Sequence, residues 1–188
     1  MTLDERVRAL TRAGDHDGAA TEAQRALGPG VLGYLASMLP EDDARDAFSC
    51  VAEDLWTGLP GFRGECSLRA WTYRLAWHAA SRQFRGAWGK RRERLATSMA
   101  SRIAAEVTSD SGLALGGRRD RLATLREALT PEERTLLVLR VDRELEWPEV
   151  AEVLAAEGTP IEAAALRKRF ERLKDRLADL ARERGLLD

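Results

Sequence analysis

Near the end of the chain, Leu166, Phe170, Leu173, Leu177 and Leu180 recur at intervals of 4, 3, 4 and 3. Only a helix gathers residues at that spacing on one side, so the stripe specifies a helix with one buried seam and a charged remainder. Ala44, Ala47, Phe48, Val51 and Leu55 repeat the period earlier. No alternating run of β-branched residues competes with it, so no sheet is expected. The expected fold class is all-α.

Breakers divide these helices. Residues 1–27 form a leader with short helices around Leu3, Val7 and Leu10 and then from Ala19 to Leu27, and Gly28-Pro29-Gly30 reads as a break. Val31 to Leu39 is a short apolar helix stopped by Pro40. A helix over 42–56, capped by Asp42 or Asp43, follows. After the Leu59-Pro60-Gly61 turn, Ser67 caps a helix to about Trp88. The stretch 96–119, ending Gly116-Gly117, reads as a linker, although Leu95, Met99 and Ile103 carry helical spacing into it. Thr130-Pro131-Glu132-Glu133 and Thr159-Pro160-Ile161-Glu162 each place Thr, Pro and Glu where a capping box needs them. Leu145 to Leu154 is a short helix between them, and a short helix, a turn and a longer basic helix make a helix-turn-helix. The expected organisation is a leader (1–27), a helical domain (28–95), a flexible linker (96–121) and a second helical domain containing the helix-turn-helix (122–188).

The net charge is −1, but it is unevenly spread. From Met38 to Pro60 there are six acidic residues and one basic; from Phe62 to Arg94, nine basic and two acidic. A polyanion senses this local sign over a screening length of about 10 Å. Cys50 and Cys66 form no CxxC pair, and His16 and His78 stand at no ligand spacing to them, so reduced thiols and no metal are expected. The start, Met-Thr-Leu-Asp-Glu-Arg, lacks the apolar core of a signal peptide, and no apolar run nears the roughly 18 residues of a membrane helix. A cytoplasmic protein without membrane contact is expected.

The chain carries no Gly-rich phosphate loop, nucleophile elbow or His-Glu-x-x-His, so no catalytic residue and no cofactor are assigned. Nucleic acid fits better. After Ser67, Arg74, His78, Arg82 and Arg85 form one helical stripe, interleaved with Trp71, Tyr73, Trp77, Phe84 and Trp88. Arginine pairs with phosphate and reads guanine edges, and exposed aromatics stack on unpaired bases, although most such aromatics in any protein are core. On the last helix, Arg167, Lys168, Arg169 and Arg172 surround the apolar seam. Early positions of a second helix reach base edges, and Ala163, Ala164 and Ala165 offer only methyl groups, so Arg167 and Lys168 carry the polar readout.

These residues resemble a bacterial RNA polymerase sigma factor of the sigma-70 family, extracytoplasmic-function group. The resemblance rests on Asp43-Ala44-Arg45-Asp46, on Trp56 closing that helix, and on the run from Phe62 to Ala76 (Phe-Arg-Gly-Glu-Cys-Ser-Leu-Arg-Ala-Trp-Thr-Tyr-Arg-Leu-Ala). It resumes at Leu129-Thr130-Pro131-Glu132-Glu133-Arg134 and extends through the basic helix. Departures from the pattern are Ser49-Cys50, Trp77-His78 and a longer turn over 155–159. The resemblance implies a protein that directs core polymerase to promoters and assists melting. Asp43, Asp46 and Trp56 would dock on the clamp of the largest polymerase subunit. Arg63, Arg69, Trp71, Arg74, His78, Arg82 and Arg85 would hold the unstacked minus-ten strand. Arg167, Lys168, Arg169 and Arg172 would bind the minus-35 duplex, beside the flap of the second-largest subunit. An anti-sigma factor is a further partner the resemblance allows. The competing reading is a helical DNA-binding regulator that never touches polymerase; it explains the basic helices but not the acidic one.

Overall fold

The structure is a computed structural model that describes residues 1–95, with side chains to position 84, and residues 128–155, 159–183 and 185. The expected linker, the side chains of Arg85 and Trp88, and the basic run from Lys90 to Arg94 lie outside the described side chains. Among the described residues there are seven α-helices and no strands.

Helix α1 (Leu3–Arg12) starts in a capping box: Thr2 Oγ1 accepts from the Glu5 N–H, and the Glu5 carboxylate accepts from the Thr2 N–H. Helix α2 (His16–Met38) is capped by Asp15 and runs straight through Gly28-Pro29-Gly30. The expected break is absent. Pro29 and Arg25 are both exposed, so the carbonyl that loses its donor to the proline sits on the wet side. The flanking glycines serve packing: a Cβ at Gly28 would meet Phe48, and one at Gly30 would lie 2.8 Å from the Tyr73 hydroxyl. A helix-interior proline costs about 3 kcal/mol. Full burial of Val31, Tyr34 and Leu35, at roughly 1.5–3 kcal/mol per apolar side chain, outweighs it.

Helix α3 (Glu41–Gly58) is not capped by Asp42 or Asp43. Pro40, already extended, is its N-cap residue, and Glu41, Asp42 and Asp43 fill the first turn, where carboxylates complement the helix dipole. A 3₁₀ turn (Leu59–Gly61) and a loop lead to α4 (Leu68–Leu95). Ser67 caps α4 as expected, its Oγ accepting from the Ala70 N–H at 3.1 Å.

In the second half, Thr130 and Glu133 form the expected box at the start of α5 (Pro131–Leu137), which passes into a π turn (Val138–Asp142). Helix α6 spans Trp147–Leu154 and α7 spans Ala163–Glu183. The second expected box does not form. Helix α7 begins after Glu162, whose carbonyl accepts from Ala165 and Leu166. Ile161 instead packs on the core from the extended lead-in, an apolar gain that outweighs a cap of about 1 kcal/mol.

The two halves share one apolar core. Val31, Tyr34, Leu35 and Met38 of α2 meet Leu136, Leu139, Val150, Val153, Leu166, Phe170 and Leu173 of the C-terminal helices. The expected seam on α7 thus buries Leu166, Phe170 and Leu173, while Leu177 and Leu180 are half-buried. A smaller core joins Val7 of α1 to Ala19, Ala23, Leu55, Leu59 and Leu68. Between the halves, the fully buried Tyr34 hydroxyl and Thr135 Oγ1 share a hydrogen bond of 3.0 Å, and Thr135 Oγ1 also faces Met38 Sδ at 3.8 Å.

Removing one partner of that bond strands the other. Tyr34→Phe and Thr135→Val should each lower stability by about 1–3 kcal/mol, and the double variant by clearly less than their sum. Denaturant unfolding of the four proteins measures this; strict additivity would mean the halves do not meet in solution.

Candidate nucleic-acid and protein interfaces

Three surfaces emerge. The first is the outer side of α3. Glu41, Asp42, Asp46 and Glu53 are exposed there and Asp43 is half-buried. Trp56 ends this face at 51 % exposure, and its Nε1–H donates to Asp17 Oδ1 at 2.8 Å. Its indole thus presents a large apolar surface to solvent with its polar edge already satisfied.

The second is the loop 62–67 with the start of α4. Gly64 turns the loop with φ +75°, a conformation costly for other residues. Phe62 stacks on Trp71 at 4.9 Å between centroids, and Trp71 presses on Gly58, where a Cβ would lie 2.9 Å away. Trp71 is therefore half-buried, one ring face already taken. Arg63 and Glu65 point to solvent. Gly58, Phe62, Gly64, Trp71 and Arg74 surround an open recess of about 210 Å³. Burial pushes the Cys66 thiol above its ordinary pKa, against the opposing Arg74 charge.

Along α4 the residues assigned to the minus-ten strand divide. Arg69 and Arg74 turn to the C-terminal half: Arg69 donates to the Arg143 carbonyl, and Arg74 pairs with Glu152 at 3.8 Å. Arg82 pairs with Asp54 of α3 at 3.3 Å. Trp77, His78 and Arg82 line a cleft, whereas Tyr73 is buried edge-on against Tyr34. Burial raises the Tyr73 hydroxyl pKa, while the nearby Arg143 and Arg69 charges work the other way.

Sequence reasoning missed the residues that hold the halves together. The Arg143 guanidinium lies over Gly33 and beside Gly30, where a Cβ at Gly33 would come within 2.6 Å of Nη2. The next residue, Glu144, has φ +53°, a strained value for a non-glycine residue. Glu149 links Ser67, whose Oγ donates to its Oε1 at 2.7 Å, to the start of α6, whose Glu146 N–H donates to its Oε2. The Gly30-x-x-Gly33 spacing, one face of a helix, was the available signal, hidden by reading Gly28-Pro29-Gly30 as a break.

The third surface is α7. Arg167, Lys168, Arg169 and Arg172 are all exposed, opposite the buried seam. Arg169, Arg172 and Arg176 also border the cleft, of about 1080 Å³, that separates α7 from α4. Its walls include Trp77, Leu136, Leu154, Ile161, Leu166 and Leu173, with Glu132 and Glu133 as the acidic part of its rim. Arg176 donates to both Glu133 oxygens, at 2.7 and 3.0 Å, and to the Ala128 carbonyl.

No protein-family model matches the chain, and no curated protein matches it in sequence. In fold it is similar to a solved structure of CnrH in complex with the cytosolic domain of CnrY, with a TM-score of 0.69 and 19% sequence identity. The likeness covers 97% of this chain and 99% of that one. No helix among the described residues is long and apolar enough to cross a membrane.

Burial opposes ionisation of Glu133, but the Thr130 backbone and hydroxyl bonds and the Arg176 guanidinium outweigh it and hold the carboxyl below its ordinary pKa. A depressed folded pKa stabilises the fold above the unfolded value, and that stability is lost as pH falls through the folded one. Glu133→Gln should therefore destabilise the protein near neutral pH, and its gap to wild type should close on acidification below the carboxylate range. Thermal melts of both proteins across that range measure the gap.

Proposed function

We propose that this protein is a sigma factor of the extracytoplasmic-function group, which brings RNA polymerase core to promoters and assists their melting. The observation that carries this reading is the length of the fold likeness. It spans 97% of the chain, so it includes the acidic helix and loop as well as the helix-turn-helix, and CnrH is an extracytoplasmic-function sigma factor. A DNA-binding regulator accounts for α6 and α7 but leaves the acidic face of α3, with its half-exposed Trp56, without a task.

In this reading, residues 28–95 bind polymerase and the minus-ten element, and residues 122–188 bind minus-35. Asp43, Asp46 and Trp56 dock on the clamp of the largest subunit. The recess beside Trp71 receives an unstacked base of the non-template strand, with Arg63, Arg69 and Arg74 on its phosphates and His78, Arg82 and Arg85 further along. Unstacking costs a few kcal/mol, and stacking on protein groups returns roughly 1–3 kcal/mol per base. Arg167, Lys168, Arg169 and Arg172 enter the minus-35 groove, near the flap of the second-largest subunit. Because Arg69 and Arg74 are held by the C-terminal half, the halves must part before α4 engages DNA. The cleft between α4 and α7, apolar in its walls and ringed by arginines, suits an amphipathic acidic segment. In this reading the cleft receives an anti-sigma partner; CnrH was solved in complex with the cytosolic domain of CnrY.

The direct test is run-off transcription with purified core polymerase on a promoter library. Specific transcripts that depend on this chain support the reading; a chain that binds DNA tightly by itself and leaves core polymerase inert contradicts it. Asp46→Arg should abolish co-purification with core while leaving the circular dichroism spectrum unchanged, since charge reversal at a complementary interface costs several kcal/mol. Unaltered co-purification removes α3 from the docking surface. Arg167→Ala and Lys168→Ala should each cost about 1–3 kcal/mol of discrimination at the upstream element. If both variants lose activity equally on cognate and scrambled upstream boxes, the two side chains hold phosphates rather than bases.

A further inference from the structure

The leader helix α1 grips both ends of the 62–67 loop. Its apolar side, with Val7 only 1 % exposed, packs on Leu59 and Leu68, the residues that flank the loop. Two polar side chains on the same helix then reach over it. Asp4 Oδ2 accepts the Leu68 N–H at 3.0 Å, one of the first amides of α4, which have no partner within the helix. Arg8 Nη2 donates to the Gly64 carbonyl at 3.4 Å. The guanidinium lies so close over Gly64 that a Cβ there would overlap Nη2. The glycine is thus required twice, for its positive φ and for the arginine above it.

Asp4 and Arg8 are four apart, on one face of α1, and their partners are Gly64 within the loop and Leu68 directly after it. Ser67 continues the fastening, its hydroxyl bridging Ala70 and Glu149. Arg63 and Glu65, on either side of the fastened Gly64, remain in solvent, with side-chain exposures of 84% and 80%. The bonds from α1 add to the Phe62–Trp71 stacking in fixing the loop.

We infer that Asp4 and Arg8 are positioning residues for minus-ten recognition: they fix the loop so that its recess and Arg63 are presented in one geometry to the unstacked strand. The inference rests on the loop being the minus-ten reader. It gives α1 a task in promoter recognition although α1 contributes no residue to the recess lining. A recess held in place before DNA arrives loses less conformational entropy on binding, and that gain appears as discrimination between bases.

The test compares Asp4→Ala, Asp4→Asn, Arg8→Ala, Arg8→Lys and Arg63→Ala in the full chain. Amide hydrogen exchange over residues 64–68 of the free protein is the first readout. Asp4→Ala and Arg8→Ala should each raise exchange there by about tenfold, the worth of one hydrogen bond, while α2 and α3 keep their protection. Asp4→Asn, which keeps an acceptor, and Arg8→Lys, which keeps a donor, should recover most of it. The second readout is the ratio of transcription from cognate and base-substituted minus-ten elements with the upstream element constant. Asp4→Ala and Arg8→Ala should lower this ratio several-fold with core affinity unchanged. If Arg63→Ala lowers the ratio and the Asp4 and Arg8 variants do not, the positioning role is wrong and the loop reading stands. If Arg63→Ala itself leaves the ratio unchanged, the loop is not the reader, and the inference falls with it. A rise in exchange across the whole molecule, or failure of the conservative variants to rescue, makes the two residues plain stabilisers of the fold and overturns the inference.

Discussion

The fold depends on burying the apolar face of α2 against two sets of partners. Val31, Tyr34, Leu35 and Met38 form the centre of a core whose other walls come from α3 and α4 on one side and from the C-terminal helices on the other. Apolar burial is non-directional and would tolerate many dockings of the two halves. Direction comes from the polar contacts within it. The Tyr34–Thr135 bond joins residues 101 positions apart in a fully buried setting, where an unpaired hydroxyl costs about 1–3 kcal/mol. The Arg143 guanidinium fits only where α2 lacks side chains, at Gly30 and Gly33. Such contacts select one docking from the many that hydrophobicity alone permits.

That docking decides which surfaces are available. The acidic face of α3 and the basic face of α7 remain open. The early turns of α4 do not, because Arg69 and Arg74 are held by Arg143 and Glu152. In the proposed function this arrangement is a resting form: the polymerase-facing surface is ready, and the side chains assigned to the minus-ten strand are withheld. The ion pair between Arg74 and Glu152 is long and partly solvated, so it adds little on its own. The restraint on α4 lies mainly in the shared core beneath it.

The helical class and the paired charge faces were legible because they follow from local period and sign. Thr130 and Ser67 act as caps where the sequence placed them. The exposed positions Arg167, Lys168, Arg169 and Arg172 followed from the seam at Leu166, Phe170 and Leu173. What escaped was set by tertiary contact. Gly28-Pro29-Gly30 has the composition of a break, yet packing against Phe48 and Tyr73 keeps α2 continuous. Thr159-Pro160-Ile161-Glu162 has the composition of a helix start, yet burial of Ile161 delays α7 to Ala163. The aromatic residues of α4 were ambiguous by type. Tyr73 belongs to the core, Trp71 is half engaged by Phe62, and Trp77 lines the cleft. No periodicity in the sequence announces that Arg143, Glu149 and Glu152 will cover α4, since all three contacts join residues more than 70 positions apart.

In the proposed function the two halves rest against each other in the free protein and have parted in the polymerase-bound form, which frees α4 for DNA. Spin labels on Cys introduced at Ala9 in α1 and at Asp179 in α7, both exposed, report that separation once Cys50 and Cys66 are replaced by Ser. A single narrow distance distribution is expected in the free protein and one shifted distinctly longer after core polymerase is added. An identical distribution in the free and polymerase-bound protein, with binding verified by co-elution, would contradict it.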